Sequence, residues 1–145
     1  MKIALGADHA GVALKADIKQ LLDQRGIAYT DFGTNSTDPV DYPDYAAPVA
    51  REVASGAFDR GILFCGSGIG MAIAANKVTG VRSAAIFDAS AARISREHND
   101  LNVLSLAERV TPAEEARRIV IAFLDTPFAG GRHQRRVEKI SALDR

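Results

Sequence analysis

What most constrains the fold of this chain is an alternation. Short apolar runs occur at 2–7, 27–32, 60–65, 82–87 and 101–106, and each is followed by a segment of helical periodicity. The first helix is expected over 11–24, where Leu14, Ile18, Leu21 and Leu22 share one face and Gly26 stops the turn. Others are expected over 45–55, 68–77, 88–97, 111–124 and 132–143. Pro48 fits its helix only near the first turn. Thr111 is expected to cap the fifth helix, with Pro112 at its first position and Glu114 and Glu115 at its positive end. Consecutive parallel strands need such crossovers, and these runs are too apolar for a half-exposed sheet. The pattern predicts an α/β, Rossmann-like three-layer sandwich: one domain over 1–145 with a five-stranded parallel sheet of unspecified strand order.

In such a sheet, ligands bind beyond the carboxyl ends of the strands. Strand one ends at Asp8-His9, strand three at Cys65-Gly66-Ser67, and Arg109 follows strand five. Cys65 is the only cysteine of the 145 residues, so the fold needs no internal disulfide. It stands directly before "GSGIG", where Gly66, Gly68 and Gly70 allow a tight turn and close approach to a ligand. The helix that follows offers free N–H groups, which suit a phosphate, a carboxylate or a developing oxyanion and favour the thiolate form of a nearby cysteine. A lone cysteine is equally consistent with a small core residue, and the glycines with helix–sheet packing. The loop is not a dinucleotide fingerprint: Met71 stands where the third glycine belongs. Asp8 and His9 can move protons or orient a hydroxyl, or Asp8 can cap the next helix.

His98 poses a geometric problem. It ends the fourth helix, which returns the chain to the amino edge of the sheet, far from Cys65. It either closes that helix or reaches the site of a second subunit. Arg132 and Arg136 are four apart on one face of the last helix, where two guanidinium forks can clamp a phosphate or simply face solvent. Lys plus Arg and Asp plus Glu balance at 18 each, so no overall charge draws the chain to nucleic acid. Histidine and cysteine spacing proposes no metal. The amino terminus is polar within eight residues, unlike a signal peptide or a membrane span, which predicts a soluble, cytoplasmic protein.

Five stretches together resemble the RpiB/LacAB sugar-phosphate isomerases, of the ribose-5-phosphate isomerase B type: "GADHAG" at 6–11, "DYPDYA" at 41–46, "CGSGIGMAIAANK" at 65–77, "HNDLNVLSL" at 98–106 and "GGRHQRRV" at 130–137. The resemblance implies aldose–ketose isomerisation of ribose 5-phosphate and ribulose 5-phosphate, without metal or cofactor. It implies Cys65 as the base, Ser67 in proton handling, and backbone N–H groups from Gly66 through Gly68 to Gly70 holding a cis-enediolate. It implies ring opening by His98 with Asp8, phosphate ligands in His9, Arg109, Arg132 and Arg136, and further lining by Asn99 and Tyr42. Family sites lie between two subunits, so a homodimer with shared sites is expected, or a tetramer of such dimers. Branches that lack the cysteine carry glutamate where this chain has Met71, which cannot act as a base. Relatives acting on allose 6-phosphate or galactose 6-phosphate keep the phosphate clamp, so the six-carbon alternatives stay open. A nucleotide-binding module on the same sheet is the non-enzymatic alternative.

Overall fold

The computed structural model describes residues 1–145. Five parallel strands form one sheet: β1 (Lys2–Ala7), β2 (Ala28–Asp31), β3 (Arg60–Cys65), β4 (Ser83–Ala85) and β5 (Val103–Ala107). Their order is β2-β1-β3-β5-β4. The helices are α1 (Val12–Gln24), α2 (Pro43–Ala54), α3 (Ile69–Ala75), α4 (Ala89–Asn99), α5 (Ala113–Asp125) and α6 (Arg132–Ser141). The architecture is the expected three-layer α/β sandwich.

Alternation along the strands sends side chains to two cores. Ile3, Leu5, Ile62, Phe64, Leu104 and Leu106 meet Leu14, Ile18 and Leu22 of α1 and Ala116, Ile119, Val120 and Phe123 of α5. Ala4, Leu63, Cys65 and Val103 meet Val49 and Val53 of α2 and Met71 and Ala75 of α3. Both faces of the three central strands are covered, which is why β1, β3 and β5 read as unbroken apolar runs, while the edge strands β2 and β4 hold no fully buried residue.

Two local expectations need correction. The second helix begins earlier than predicted, with Pro43 at its start, so Pro48 lies in its interior, not its first turn. Thr111 does not cap α5: Pro112 occupies the cap position with no side-chain hydrogen bond, and Thr111 is buried, its N–H donating to Ala107 O. Pro112 lacks an N–H and starts the helix one residue later, while Glu114 and Glu115 do stand in its first turn. No helix is long and apolar enough to cross a membrane.

The strand order positions the site. From β1 the chain moves outward to β2; it then returns to β3 on the other side of β1. The carboxyl ends of β1 and β3 therefore flank the point where the winding reverses, and a crevice opens there.

Candidate active site

At that crevice, Asp8, His9, Tyr42, Cys65, Gly66, Ser67, Gly70 and Arg109 line one cavity of about 230 Å3. Each wall has a local cause. Asp8 is extended and buried; its carboxylate accepts the Ala10 N–H at 2.9 Å and caps a short 3-10 turn over His9–Gly11. Arg109 is set by a pair of backbone bonds: Glu108 N–H donates to Cys65 O and Arg109 N–H to Gly66 O. The Glu108 carboxylate in turn accepts Leu14 N–H at 2.7 Å and caps α1.

Cys65 satisfies both descriptions the sequence left open. It is 4% exposed and packs in the core beside Leu63 and Met71, yet its sulfur faces the crevice. The Gly68 N–H donates to its Sγ at 3.1 Å. Gly68 can make that bond because its φ is +74°, a left-handed conformation that glycine adopts without strain. Its own carbonyl is held by Ser105 Oγ–H at 2.6 Å. Gly66 and Gly70 serve by having no side chain: a Cβ at Gly66 would lie 2.8 Å from the Arg109 guanidinium, and one at Gly70 would lie 2.8 Å from the Tyr42 ring.

The loop N–H groups divide into used and free. Gly68 N–H is on the sulfur, and Ile69 N–H is taken by Ser67 Oγ at 3.2 Å. Those of Gly66, Ser67 and Gly70 bond to nothing in the chain. The free set, beside a thiol, can hold an anion that forms within reach of the sulfur. On the opposite wall, His9 Nδ1 accepts the Val40 N–H at 3.1 Å. In the neutral ring this puts the proton on Nε2, where it can be donated to a ligand.

The loop that carries Val40 and Tyr42 is anchored by Lys15, which is 1% exposed. Its Nζ donates to Asp31 Oδ1 at 2.7 Å, Thr34 O at 2.5 Å and Asn35 Oδ1 at 3.0 Å. Three acceptors match three donors, so the group is an ammonium. Asp31 also accepts Lys19 Nζ at 3.0 Å and Gly33 N–H at 2.8 Å. Burial works against the Asp31 carboxylate, but the bonds from Lys15, Gly33 and Lys19 outweigh it and hold its pKa below the usual carboxylate value. At Lys15 burial outweighs the hydrogen bond and charge of Asp31, so it titrates below the ordinary lysine value.

The remaining predicted residues lie elsewhere in the chain. His98 and Asn99 end α4, at the amino edge of the sheet, and neither lines the Cys65 cavity. Asn99 lines a different cavity with Ser83, Leu101 and Ile140. Arg132 and Arg136 are exposed on α6, which packs on α4. The structure thus assembles most of the predicted set around Cys65, and leaves His98, Asn99, Arg132 and Arg136 on α4 and α6.

Two participants escaped the sequence reading. His133 is 8% exposed and stacks on His98, ring centroids 4.2 Å apart and planes 13° apart. Burial, followed by the charges of His98, Arg132 and Arg136, lowers its pKa below the usual histidine value. Lys15 was legible in principle: it falls on the apolar stripe with Ile18 and Leu22, where a cation must have a buried partner.

Comparison with known proteins adds an independent line. The ribose/galactose isomerase family model matches residues 3–140. The chain is 52% identical over 142 residues to the putative sugar phosphate isomerase YwlF of Bacillus subtilis (strain 168), covering 97% of this chain and 95% of that one. It is 48% identical over 143 residues to ribose-5-phosphate isomerase B of Escherichia coli (strain K12), covering 99% and 96%. The solved structure of ribose-5-phosphate isomerase B from Clostridium thermocellum superposes with a TM-score of 0.97 at 50% identity, covering 99% of this chain and 97% of that one.

Proposed function

The chain belongs to the ribose/galactose isomerase family, and from that premise we propose that it interconverts D-ribose 5-phosphate and D-ribulose 5-phosphate. One observation carries the mechanism: the lone thiol sits at the sheet's reversal point, with an N–H on its sulfur and three free N–H groups beside it. The Cys65 thiolate takes the proton from C2 of the open-chain aldose. The electron pair moves into a C1–C2 double bond, and the carbonyl oxygen O1 becomes anionic. The N–H groups of Gly66, Ser67 and Gly70 receive this cis-enediolate. Ser67 Oγ assists transfer of the hydroxyl proton from O2 to O1, and the proton on Cys65 returns to C1, giving the ketose. Atoms and charge balance without a redox partner.

The phosphate is the remote handle that holds C1 and C2 against the sulfur. His9 and Arg109 offer it donors from the cysteine side. Arg132 and Arg136 stand with His98 and Asn99 at the other edge of the sheet, so they reach the substrate from a partner subunit. The active enzyme is then a homodimer with two shared sites, in which His98 of the partner subunit opens the sugar ring with Asp8. The single cysteine, free and without a disulfide partner, suits the reducing cytoplasm.

The test is turnover. Purified protein without added metal is given ribose 5-phosphate, and ribulose 5-phosphate is followed, with allose 6-phosphate and galactose 6-phosphate in parallel. Pentose turnover exceeding that of either hexose supports the assignment. Preference for a hexose 6-phosphate would keep the chemistry and overturn the substrate. Absence of turnover with every sugar would overturn both.

A further inference from the structure

A charged cavity lies away from the reaction crevice. It lies at the opposite edge of the sheet, where the strands begin, and is an open depression of about 550 Å3. Arg60 is the first residue of β3, Arg82 immediately precedes β4, and Asp100 and Asn102 lie just before β5. Arg96 reaches in from the last turn of α4, and Asp59 completes the charged wall.

The charges there do not balance. Three guanidiniums face two carboxylates. Asp100 is committed twice, to Arg96 at 2.8 Å and to Arg82 at 3.3 Å. Asp59 accepts the Lys2 N–H at 2.7 Å. Arg60 forms no ion pair with either. Its Nη1 donates to the carbonyls of Phe123 and Leu124 at the end of α5, and its guanidinium lies over the Phe123 ring at 5.4 Å. Its Nε and Nη2 donate to nothing in the chain, and the Nη1 of Arg82 and Nη2 of Arg96 are likewise without an acceptor. Arg96 is 4% exposed. Burial, together with the nearby Arg96 charge, lowers Arg60 to about 10. Asp100, Asp59 and Asp125 are near enough to favour the Arg60 charge, but none pairs with it. Its free nitrogens, open to the cavity beside two other guanidiniums, are donors that an oxyanion can take.

We infer that this amino-edge cavity is a second ligand site, built to take a small multivalent oxyanion on the free donors of Arg60, Arg82 and Arg96. The planar forks present paired N–H groups, which fit the oxygens of a phosphate or a carboxylate. The inference rests on the cavity's own charges and holds whether or not the crevice isomerises a sugar.

Inorganic phosphate is the probe, titrated calorimetrically into the whole protein. The wild type should bind two equivalents per chain, one at the crevice and one at the amino edge. Arg60→Gln removes the charge yet keeps an amide donor for the α5 carbonyls; it should weaken the amino-edge equivalent roughly tenfold or more, the scale of one charge-assisted hydrogen bond. Arg109→Ala should weaken only the crevice equivalent. Arg82→Gln gives a second reading of the amino edge, and melting curves identify any variant that fails to fold. Citrate is run in competition: displacement at the amino edge marks a carboxylate ligand, and persistence of phosphate marks a phosphate ligand. Two equivalents of unchanged affinity in a folded Arg60→Gln or Arg82→Gln protein would overturn the inference. So would loss of all phosphate binding in Arg109→Ala, or no binding of either anion at the amino edge.

Discussion

Replacing Lys15 by Met keeps the volume of the side chain and removes its charge. The wild-type ammonium side chain is 2% exposed and its partner Asp31 13%, so water cannot replace the lost pairing. Asp31 keeps Lys19 and the Gly33 N–H, which softens the loss. Thr34 O and Asn35 Oδ1 lose their shared donor. Removing one partner of a buried pair costs about 3–5 kcal/mol. The two surviving bonds on Asp31 put this case near the lower end, about 3 kcal/mol, or a fall in Tm of roughly 6–12 °C for a chain of this size. The assay is urea unfolding at fixed protein concentration, since the proposed subunit association would shift apparent stability. Adding Asp31→Leu to the variant should recover part of the loss, because the stranded carboxylate disappears. The pH dependence has a definite sign. Asp31 titrates below its ordinary value in the folded chain, so its contribution is complete above that value and lost as pH falls through the lowered one. In Lys15→Met the lowering is smaller, and the acid loss of stability should be shallower. A loss under about 1 kcal/mol with an unchanged acid limb would refute the account of Lys15 as the anchor of this loop.

Other expectations follow from the same geometry. Gly70→Ala puts a Cβ 2.8 Å from the ring of Tyr42, which is 41% exposed and has solvent on one side to turn into. Unfolding stability should change by less than about 1 kcal/mol, while kcat/KM for ribose 5-phosphate should fall between about ten- and a hundredfold; an unchanged kcat/KM would remove Tyr42 from the site. His133 should titrate, by proton NMR, below the ordinary histidine value. Its sign follows: stability is complete above the ordinary value and declines as pH falls toward the lowered one, and His133→Gln should flatten that decline. Mixing Cys65→Ala with His98→Ala protein under subunit exchange should restore activity that neither variant has alone. No restoration, with exchange verified by mass, would contradict sites shared between subunits.

How legible was this in the sequence? The alternation was legible because both faces of the three central strands are covered, so β1, β3 and β5 announce themselves as apolar runs; the edge strands β2 and β4, with no fully buried residue, were read from the helices that separate them. The strand order was not: it depends on which edge each crossover helix selects, and no residue of α1 or α3 states that choice. Without the order, Asp8 and Cys65 were two strand ends among five; with it, they flank one crevice. The glycine loop was read as a turn with free N–H groups, which holds for Gly66, Ser67 and Gly70 but not for Gly68 or Ile69. The commitment of one of them to the Cys65 sulfur was invisible, because it depends on the left-handed φ of Gly68. The separation of His98 from Cys65 was legible, since a crossover helix must end at the amino edge. The stacking of His133 on His98 was not, because it is made by α6 folding back onto α4 across a glycine break. Pro48 and Thr111 misled for one shared reason: a neighbouring proline, Pro43 or Pro112, set the helix start.

The central claim is that the Cys65 thiolate moves the proton between C2 and C1. Its most direct test is proton exchange, measured apart from net turnover. Wild-type protein and Cys65→Ala, each shown to be folded, are incubated with ribulose 5-phosphate in deuterated water, and deuterium entering C1 is followed by NMR. The account predicts steady incorporation with the wild type and none above background with the variant. Incorporation by Cys65→Ala at the wild-type rate would mean that another group is the base and that the lone cysteine is only a residue of the core.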